Sequence, residues 1–364
     1  MTTVEWVACS ALTGVVIADL PGLQVDTIEQ VLMGYATASA VLPIEDSTTP
    51  EWRNATLPGG VFIVMLEDET PTWGAMVTQR KRGANDSVVL GLATVETYFR
   101  RRYVGDETFA ATDQCEIVEM LVTNYAADSL ALEVSAEASA YTRDRTYVDD
   151  DDKTLYSVLS ELSGVINGPE WTVTWGEYTV GTQRAYKPIL VVADRLGSEP
   201  AEGMAPAVTF DLPGTISEVL FTEDYSDGSG ANDVMATSTA VNNERPESAH
   251  ATSADGSRPT FELRFSPSTS ITETDTLDAH AEARLARVEG GSLSLELTLI
   301  PREGSRPGID FFVGDTIGFH LGHDAAPLPN FPGGLSGTAR VTGWKRSFGD
   351  VDKVTPVLTS VEVD

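Results

Sequence analysis

The sequence predicts a mainly β protein with a few helices, a β-rich α+β class. Three observations carry this. Short stretches rich in β-branched and apolar residues recur from one end of the chain to the other. Several of them alternate strictly between apolar and polar positions. A 3.6-residue apolar period appears only in brief segments.

The strands come in order. TASAVLPI (37–44), GGVFIVMLED (59–68), TWGAMVTQR (72–80) and SVVLGLATV (87–95) form the first group. EDETPTW (67–73) reads as the turn between two paired strands, with Pro71 breaking the ladder. In WTVTW (171–175), Trp171, Val173 and Trp175 share one face. SLSLELTLI (292–300) alternates Leu293, Leu295, Leu297 and Leu299. FFVGDTIGFHLG (311–322), ARVTGWKRSFG (339–349) and VTPVLTSVEV (354–363) complete the set.

Three helices are predicted. IVEMLVTNY (117–125) is the first. The second spans 153–163, with Leu155, Val158, Leu159 and Leu162 in one stripe and Gly164 as its stop. Before it stand Asp149, Asp150, Asp151 and Asp152, read as the acidic helix N-terminus facing the positive end of the helix dipole. The run lacks the D-x-D-x-D-G spacing of a calcium loop. The third spans 276–288, with Leu277, Ala281, Leu285 and Val288 as its stripe, Asp275 as its cap and Gly290 as its stop. Each of the last two helices precedes an alternating strand, which suggests related units.

The chain has 364 residues and 41% apolar content, enough for two or three domains. No apolar run approaches the ~20 residues of a membrane span. The first residues lack a secretory signal pattern. Cys9 and Cys115 match no metal spacing and read as core thiols of a protein folded in a reducing cytoplasm. Fifty-five acids against 24 bases leave a net charge of −31. Such a surface repels nucleic acid. It suits a halophile, a cation-binding surface or a channel that must not hold DNA, or it serves solubility alone.

Chemistry-bearing motifs are scarce. There is no G-x-S-x-G, G-x-G-x-x-G or P-loop pattern, and no cofactor or metal is expected. His320 and His323 with Asp324 give the best metal-like spacing, but three positions apart on a strand point to opposite sides. EDYSDGSGAND (223–233) is acidic and glycine-rich, yet misses the calcium-loop register and reads as a solvated turn. Asn54 and Asn85 head glycosylation sequons that matter only after secretion. Basic residues cluster at Arg80, Lys81 and Arg82 and at Arg100, Arg101 and Arg102, a candidate interface because arginine pairs bidentately with carboxylates. Solvated strand ends are the alternative.

The ordered set TASAVLPI, PEW, ATLPGGVFIVML, PTWGAMV, VETYFRRRYV, ATDQCEIVEML, RDRTYVDDDDKTLYSVLSELS, GPEWTVTW, SRPTFELRFSPSTSITETDTL, FFVGDTIGF and RVTGWKRSF resembles one family. It is similar to minor tail proteins of actinobacterial siphophages, of the kind assigned as the tail-tip or baseplate hub. Helix 276–288, strand 292–300 and then Gly314 and Asp315 resemble the hub domains of long-tailed phages and contractile injection systems.

The resemblance implies tail-tube-like β-barrel domains and a homotrimer in the virion tail tip, assembled in the host cytoplasm. It implies contacts with a distal tail protein, the tape measure protein and further tip proteins. DNA would pass through a channel without specific binding. No membrane insertion and no enzymatic activity are expected, and no lytic domain after Asp364. The division expected is 1–114 for a first barrel, 115–200 for an α/β segment and 201–364 for a second barrel. Trp73, Trp171, Trp175 and Trp344 would anchor cores, and Gly314 with Asp315 would form a tight turn. The alternatives are a carboxylate-based cell-wall glycoside hydrolase and a carbohydrate-binding tip module using tryptophan platforms. Alternation argues against the platform, since it places Trp171 and Trp175 together on one buried face.

Overall fold

The computed structural model describes residues 3–44, 51–83, 86–201, 203–238, 245–267, 274–322, 328 and 332–363. Strands take up 48% and helices 14%, which puts the chain in the predicted mainly β class with curled sheets. The chain begins β1 (Val4–Ser10), β2 (Val16–Asp19), β3 (Gln24–Val25), β4 (Thr27–Val31), β5 (Thr37–Pro43), α1 (Trp52–Ala55), β6 (Val61–Glu67), β7 (Thr70–Arg82), β8 (Ser87–Ala93) and α2 (Glu96–Phe99). It continues through β9 (Glu107–Asp113), α3 (Gln114–Tyr125), β10 (Glu133–Ala136), β11 (Thr142–Tyr147), α4 (Leu155–Ser163), β12 (Glu170–Val180) and β13 (Gln183–Ala193). Then come β14 (Thr209–Leu212), β15 (Ile216–Asp224), β16 (Asp233–Ala236), β17 (Ala251–Thr252), β18 (Glu262–Phe265), α5 (Thr274–Val288), β19 (Ser292–Leu299), β20 (Thr316–Leu321), β21 (Leu335–Ser347) and β22 (Lys353–Val363).

The chain divides into two compact units, Met1–Glu218 with Leu297–Asp364, and Val219–Glu296. The boundaries expected at 114/115 and 200/201 both fall inside the first unit. One reason is a shared core. Val7, Phe62 and Val64 of the first sheet pack with Ile117, Leu121, Leu155, Leu159, Trp171 and Leu190 from the following segment. The second is a strand exchange. The first sheet runs β2-β1-β6-β7-β8-β5-β3, and β3 pairs with β5. Only Asp26 separates β3 from β4, yet β4 pairs antiparallel with β21, setting Ile28 opposite Arg346. A second sheet, β14-β20-β21-β22-β19-β15, is built on the same β21.

Burial explains why β6 does not alternate. All seven of its residues are buried. Phe62, Val64 and Leu66 join the core with α3 and α4, while Ile63 and Met65 on the opposite face are equally covered. The β6–β7 hairpin closes on Asp68 and Glu69 alone, both with positive φ (48° and 69°), the signature of a two-residue hairpin turn. Pro71 lies inside the ladder opposite Leu66, at a register shift. The 67–73 stretch is therefore mostly strand.

In α4 the stripe Leu155, Val158, Leu159 and Leu162 is fully buried. The aspartate run does not start this helix. Asp149, Asp150 and Asp151 form a separate 3-10 turn, and Asp152 is left-handed (φ 48°). Thr154 is the N-cap, its hydroxyl accepting from Ser157 N at 3.2 Å. The helix cannot extend backwards because the chain ahead of it is pinned. Val104 N donates to Lys153 O, Leu155 N donates to Arg102 O, and Tyr103 bridges Thr154. Gly164 stands at the C-cap with a right-handed φ of −74°, so its glycine character is not required there.

α3 starts at Gln114 rather than 117. Asp113 caps it, accepting from Cys115 N and Glu116 N at 2.8 and 3.2 Å. In the second unit, α5 packs on the three-stranded sheet β17-β16-β18 through Leu277, Ala281 and Val288. Asp275 lies in its first turn, and the glycine with positive φ beyond it is Gly291, not Gly290.

Thr154→Ala removes the hydroxyl that caps α4 and is expected to cost about 1 kcal/mol in urea unfolding. Replacing Asp149, Asp150 and Asp151 together by asparagine should cost less, within about 0.5 kcal/mol for the three together. The reverse order would show that the aspartates, not Thr154, start the helix.

Candidate functional site

Among the described residues no group of three His, Cys, Asp or Glu side chains could hold a metal ion. His320 sits on β20 with Nδ1 2.8 Å from Ser336 Oγ. His323, Asp324 and Asn85 lie outside the described residues. Asn54, on α1, donates through Nδ2 to Glu51 at 3.0 Å. In EDYSDGSGAND, Asp224 accepts from Ser226 N and Ser229 Oγ, both at 2.8 Å, and hydrogen bonding from the Ser226 side chain, the Ser226 backbone and Ser229 holds its carboxyl below the usual carboxylate range. Its carboxylate thus closes its own loop.

Gly314 and Asp315 form the turn into β20, and the turn is locked to a segment far away in sequence. Gly314 has φ +104° and Gly197 has φ +83°. A Cβ on Gly314 would come within 2.5 Å of Leu196 O, and one on Gly197 within 2.0 Å of the Gly314 carbonyl carbon. Two backbones can pass this closely only when both residues are glycine. Asp315 Oδ1 accepts from Ser198 N (2.7 Å) and Oγ (2.9 Å), and its Oδ2 accepts from Phe312 N (2.8 Å).

Charged groups tie this unit together from inside. Arg346 on β21 and Glu67 at the end of β6 are both buried, with Arg346 Nη1 2.8 Å from Glu67 Oε2. Arg346 Nη2 reaches Asp352 at 3.1 Å. Next to Glu67 in sequence, Asp68 binds Arg306 at 3.2 Å. Arg306 also grips Asp310 through Nε and Nη2, both at 2.9 Å. Although burial alone would raise the Asp310 carboxyl, its hydrogen bonds and the Arg306 charge hold it down. Arg340 pairs with Glu170 of β12, Nη1 to Oε1 at 2.8 Å, and Glu170 Oε2 accepts from Leu196 N.

Glu96 is different. It is 3% exposed, and its Oε2 has no hydrogen-bond partner among the described residues. Burial pushes its carboxyl up to about 7, against smaller lowering contributions from Thr94 and nearby backbone. A raised carboxyl is what a general acid needs, but this one borders a cavity of only about 10 Å³ beside Thr72, Trp73 and Trp175. Cys9 and Cys115 are buried free thiols, each raised to about 12 chiefly by burial, so neither is a nucleophile at neutral pH. Trp73, Trp171 and Trp344 are buried, and Trp175 is half-buried, its indole lying on Gly74.

The basic residues do not form one patch. Arg102 is taken up by Asp128, with Nη2 2.9 Å from Oδ2, and by Tyr125 O. Arg100 stacks 4.9 Å above Tyr35 and donates to its hydroxyl at 2.7 Å. Arg101 is exposed beside a groove lined with Met76, Thr78 and Tyr98. Arg80 and Arg82 gather instead with Arg53 around Trp52.

No family model and no curated protein matches the sequence. Solved structures do match, end to end. The 43 kDa tail protein of prophage MuSo2 from Shewanella oneidensis has a TM-score of 0.56 at 10% identity, covering 98% of each chain. The chain shares its fold with phage tail proteins. The tail protein of Neisseria meningitidis MC58 gives 0.54 at 11% identity, covering 98% of this chain and 97% of that one. A chain of the lidless PdpA–VgrG complex gives 0.53 at 8% identity, over 98% of this chain and 64% of that one.

Two outcomes follow from these charges. Arg346→Met leaves a buried carboxylate unpaired and is expected to cost about 3–5 kcal/mol in chemical unfolding. The double variant Glu67→Leu with Arg346→Met should regain much of that loss, and a double loss equal to the sum of the singles would refute the pairing. For Glu96, the folded pKa of about 7 lies above its reference value of 4.5. The stability it contributes is therefore fully present below 4.5 and lost as pH rises through about 7, on the order of 3 kcal/mol in total. Glu96→Gln should flatten the unfolding free energy between pH 5 and pH 8 (roughly the physiological span) and exceed the wild type at the upper end.

Proposed function

We propose that this chain is a structural protein of a phage-type tail, acting as the hub at the distal end of a long tail. The observation that carries the reading is the match over nearly the whole of both chains to a prophage tail protein and a second tail protein. The ordered motifs that resemble actinobacterial siphophage tip proteins narrow it to the hub. In this role the chain joins tail tube to tip as a homotrimer, in contact with a distal tail protein, the tape measure protein and other tip proteins. It performs no catalysis and inserts into no membrane.

The negative charge has a use in such an assembly. A trimer would carry 3 × −31 = −93. Duplex DNA carries one negative charge per ~1.7 Å of axis, and a basic wall would hold it at many points. An acidic wall leaves the strand unbound, provided the wall lies within the ~8 Å screening length of physiological salt.

Purified tails imaged with this chain labelled should show density at the distal end with threefold symmetry. Label along the tail shaft, or a sixfold ring of this chain, would refute the hub. In a trimer of known structure, lysine in place of several lumen-facing acids should slow DNA ejection at low salt while leaving assembly intact.

A further inference from the structure

The sequence stretch 79–82 and the short helix α1 meet around one indole. The guanidinium carbons of Arg53 and Arg82 lie 5.3 Å from the Trp52 ring centroid, and that of Arg80 lies 5.8 Å away. Arg80 is fixed by its donor set: Nη1 donates to Arg53 O at 2.7 Å and to Thr56 Oγ1 at 3.2 Å. Arg80 and Arg82 stand opposite Leu90 and Val88 in the β7–β8 register, both buried, so the two arginines share that face at the strand end. Lys81 stands opposite the exposed Val89 on the other face. Arg53 and Arg82 are exposed and Trp52 is half-exposed.

Among the described residues, 12 of the 24 lysines and arginines have a carboxylate within ion-pair distance. Ion pairs occupy Arg102, Lys153, Arg184, Lys187, Arg306, Arg340 and Arg346, among others. Among the described residues, no carboxylate pairs with Arg53, Arg80, Lys81 or Arg82, in a chain with 31 more acids than bases. Three guanidiniums around one ring repel each other. Stacking on the half-exposed indole offsets only part of that repulsion. Among the described residues these guanidiniums are left without an ion-pair partner.

We propose that the Trp52, Arg53, Arg80 and Arg82 cluster docks a carboxylate-rich segment of a neighbouring tail protein. This deepens the structural reading above and rests on it. The guanidinium fork matches a carboxylate with two parallel hydrogen bonds. The indole supplies a flat apolar floor, and tryptophan with arginine is the pairing found at the energetic centres of interfaces. Phosphate would also fit the fork. A long polyanion, however, meets the repulsion of the whole acidic surface, whereas a short acidic segment meets only the field within a screening length.

The test uses the full chain and a decaglutamate peptide at low salt, followed by calorimetry and tryptophan fluorescence. Saturable binding that perturbs the fluorescence is expected, weakened at least about tenfold by Arg53→Glu with Arg82→Glu. Arg101→Glu, outside the cluster, should leave it unchanged. Arg80 is left intact because it holds α1. Should the glutamate pair disturb folding, Arg53→Gln with Arg82→Gln gives the same test with less repulsion. Equal binding by wild type and the double variant overturns the proposal. So does tighter binding of duplex DNA or inorganic phosphate than of the peptide at the same salt. The peptide result does not depend on locating the chain in a tail, so the two readings fail separately.

Discussion

The buried ion pair between Glu67 and Arg346 is the constraint on which the first unit turns. Its partners are 279 residues apart, one at the end of β6 and one near the end of β21. Removing two charges from water is costly, and the attraction offsets that cost only in one geometry. The pair therefore acts on register as much as on stability. A slip of β21 by one residue would turn Arg346 out and leave Glu67 charged in the core. Aromatic contacts continue from the same point. Arg346 lies 5.0 Å over Phe348, whose ring meets Trp6 edge-on at 5.7 Å, and Trp6 meets Trp73 at 6.2 Å. Trp73 Nε1 donates to Glu29 O of β4 at 2.9 Å. Both sheets and the strand that crosses between them are thus tied at one joint.

Much of the secondary structure was legible because it rests on local period. The α4 stripe and the strands around Phe62, Leu90 and Trp171 were set by residues within one turn or one pleat. What could not be read depends on distant partners. The aspartate run looked like a helix start, since nothing local shows that residues 102–104 pin the chain at 153–155. Gly314 announced a turn, but not that Gly197 lies against it. Arg346 did carry a signal. It follows Trp344 at the inward period of β21, and a charge in an apolar register position asks for a buried partner. Asp113 with Glu116 was a legible capping pair that would have moved the start of α3. The basic residues were visible as two runs, while Trp52 and Arg53, which complete one of them, were not.

The match to tail proteins at 10–11% identity is consistent with this division. Alternation, buried volume and a few tight turns can be met by many sequences, and cores tolerate wide substitution when pattern and volume are kept. Individual charge pairs have fewer solutions. Glu67–Arg346 is such a pair in this chain.

The second unit leaves and re-enters the first by neighbouring strands. β15 and β19 lie side by side in one sheet, with Ser217 Oγ donating to Thr298 O and Ile300 N to Thr215 O at the point of passage. Its two ends are therefore held together by the scaffold, whatever lies between them. Such a module is a cassette. It can be exchanged, enlarged or reduced to a loop without rethreading the rest of the chain, which gives a lineage one place to change what it presents while the joint stays as it is.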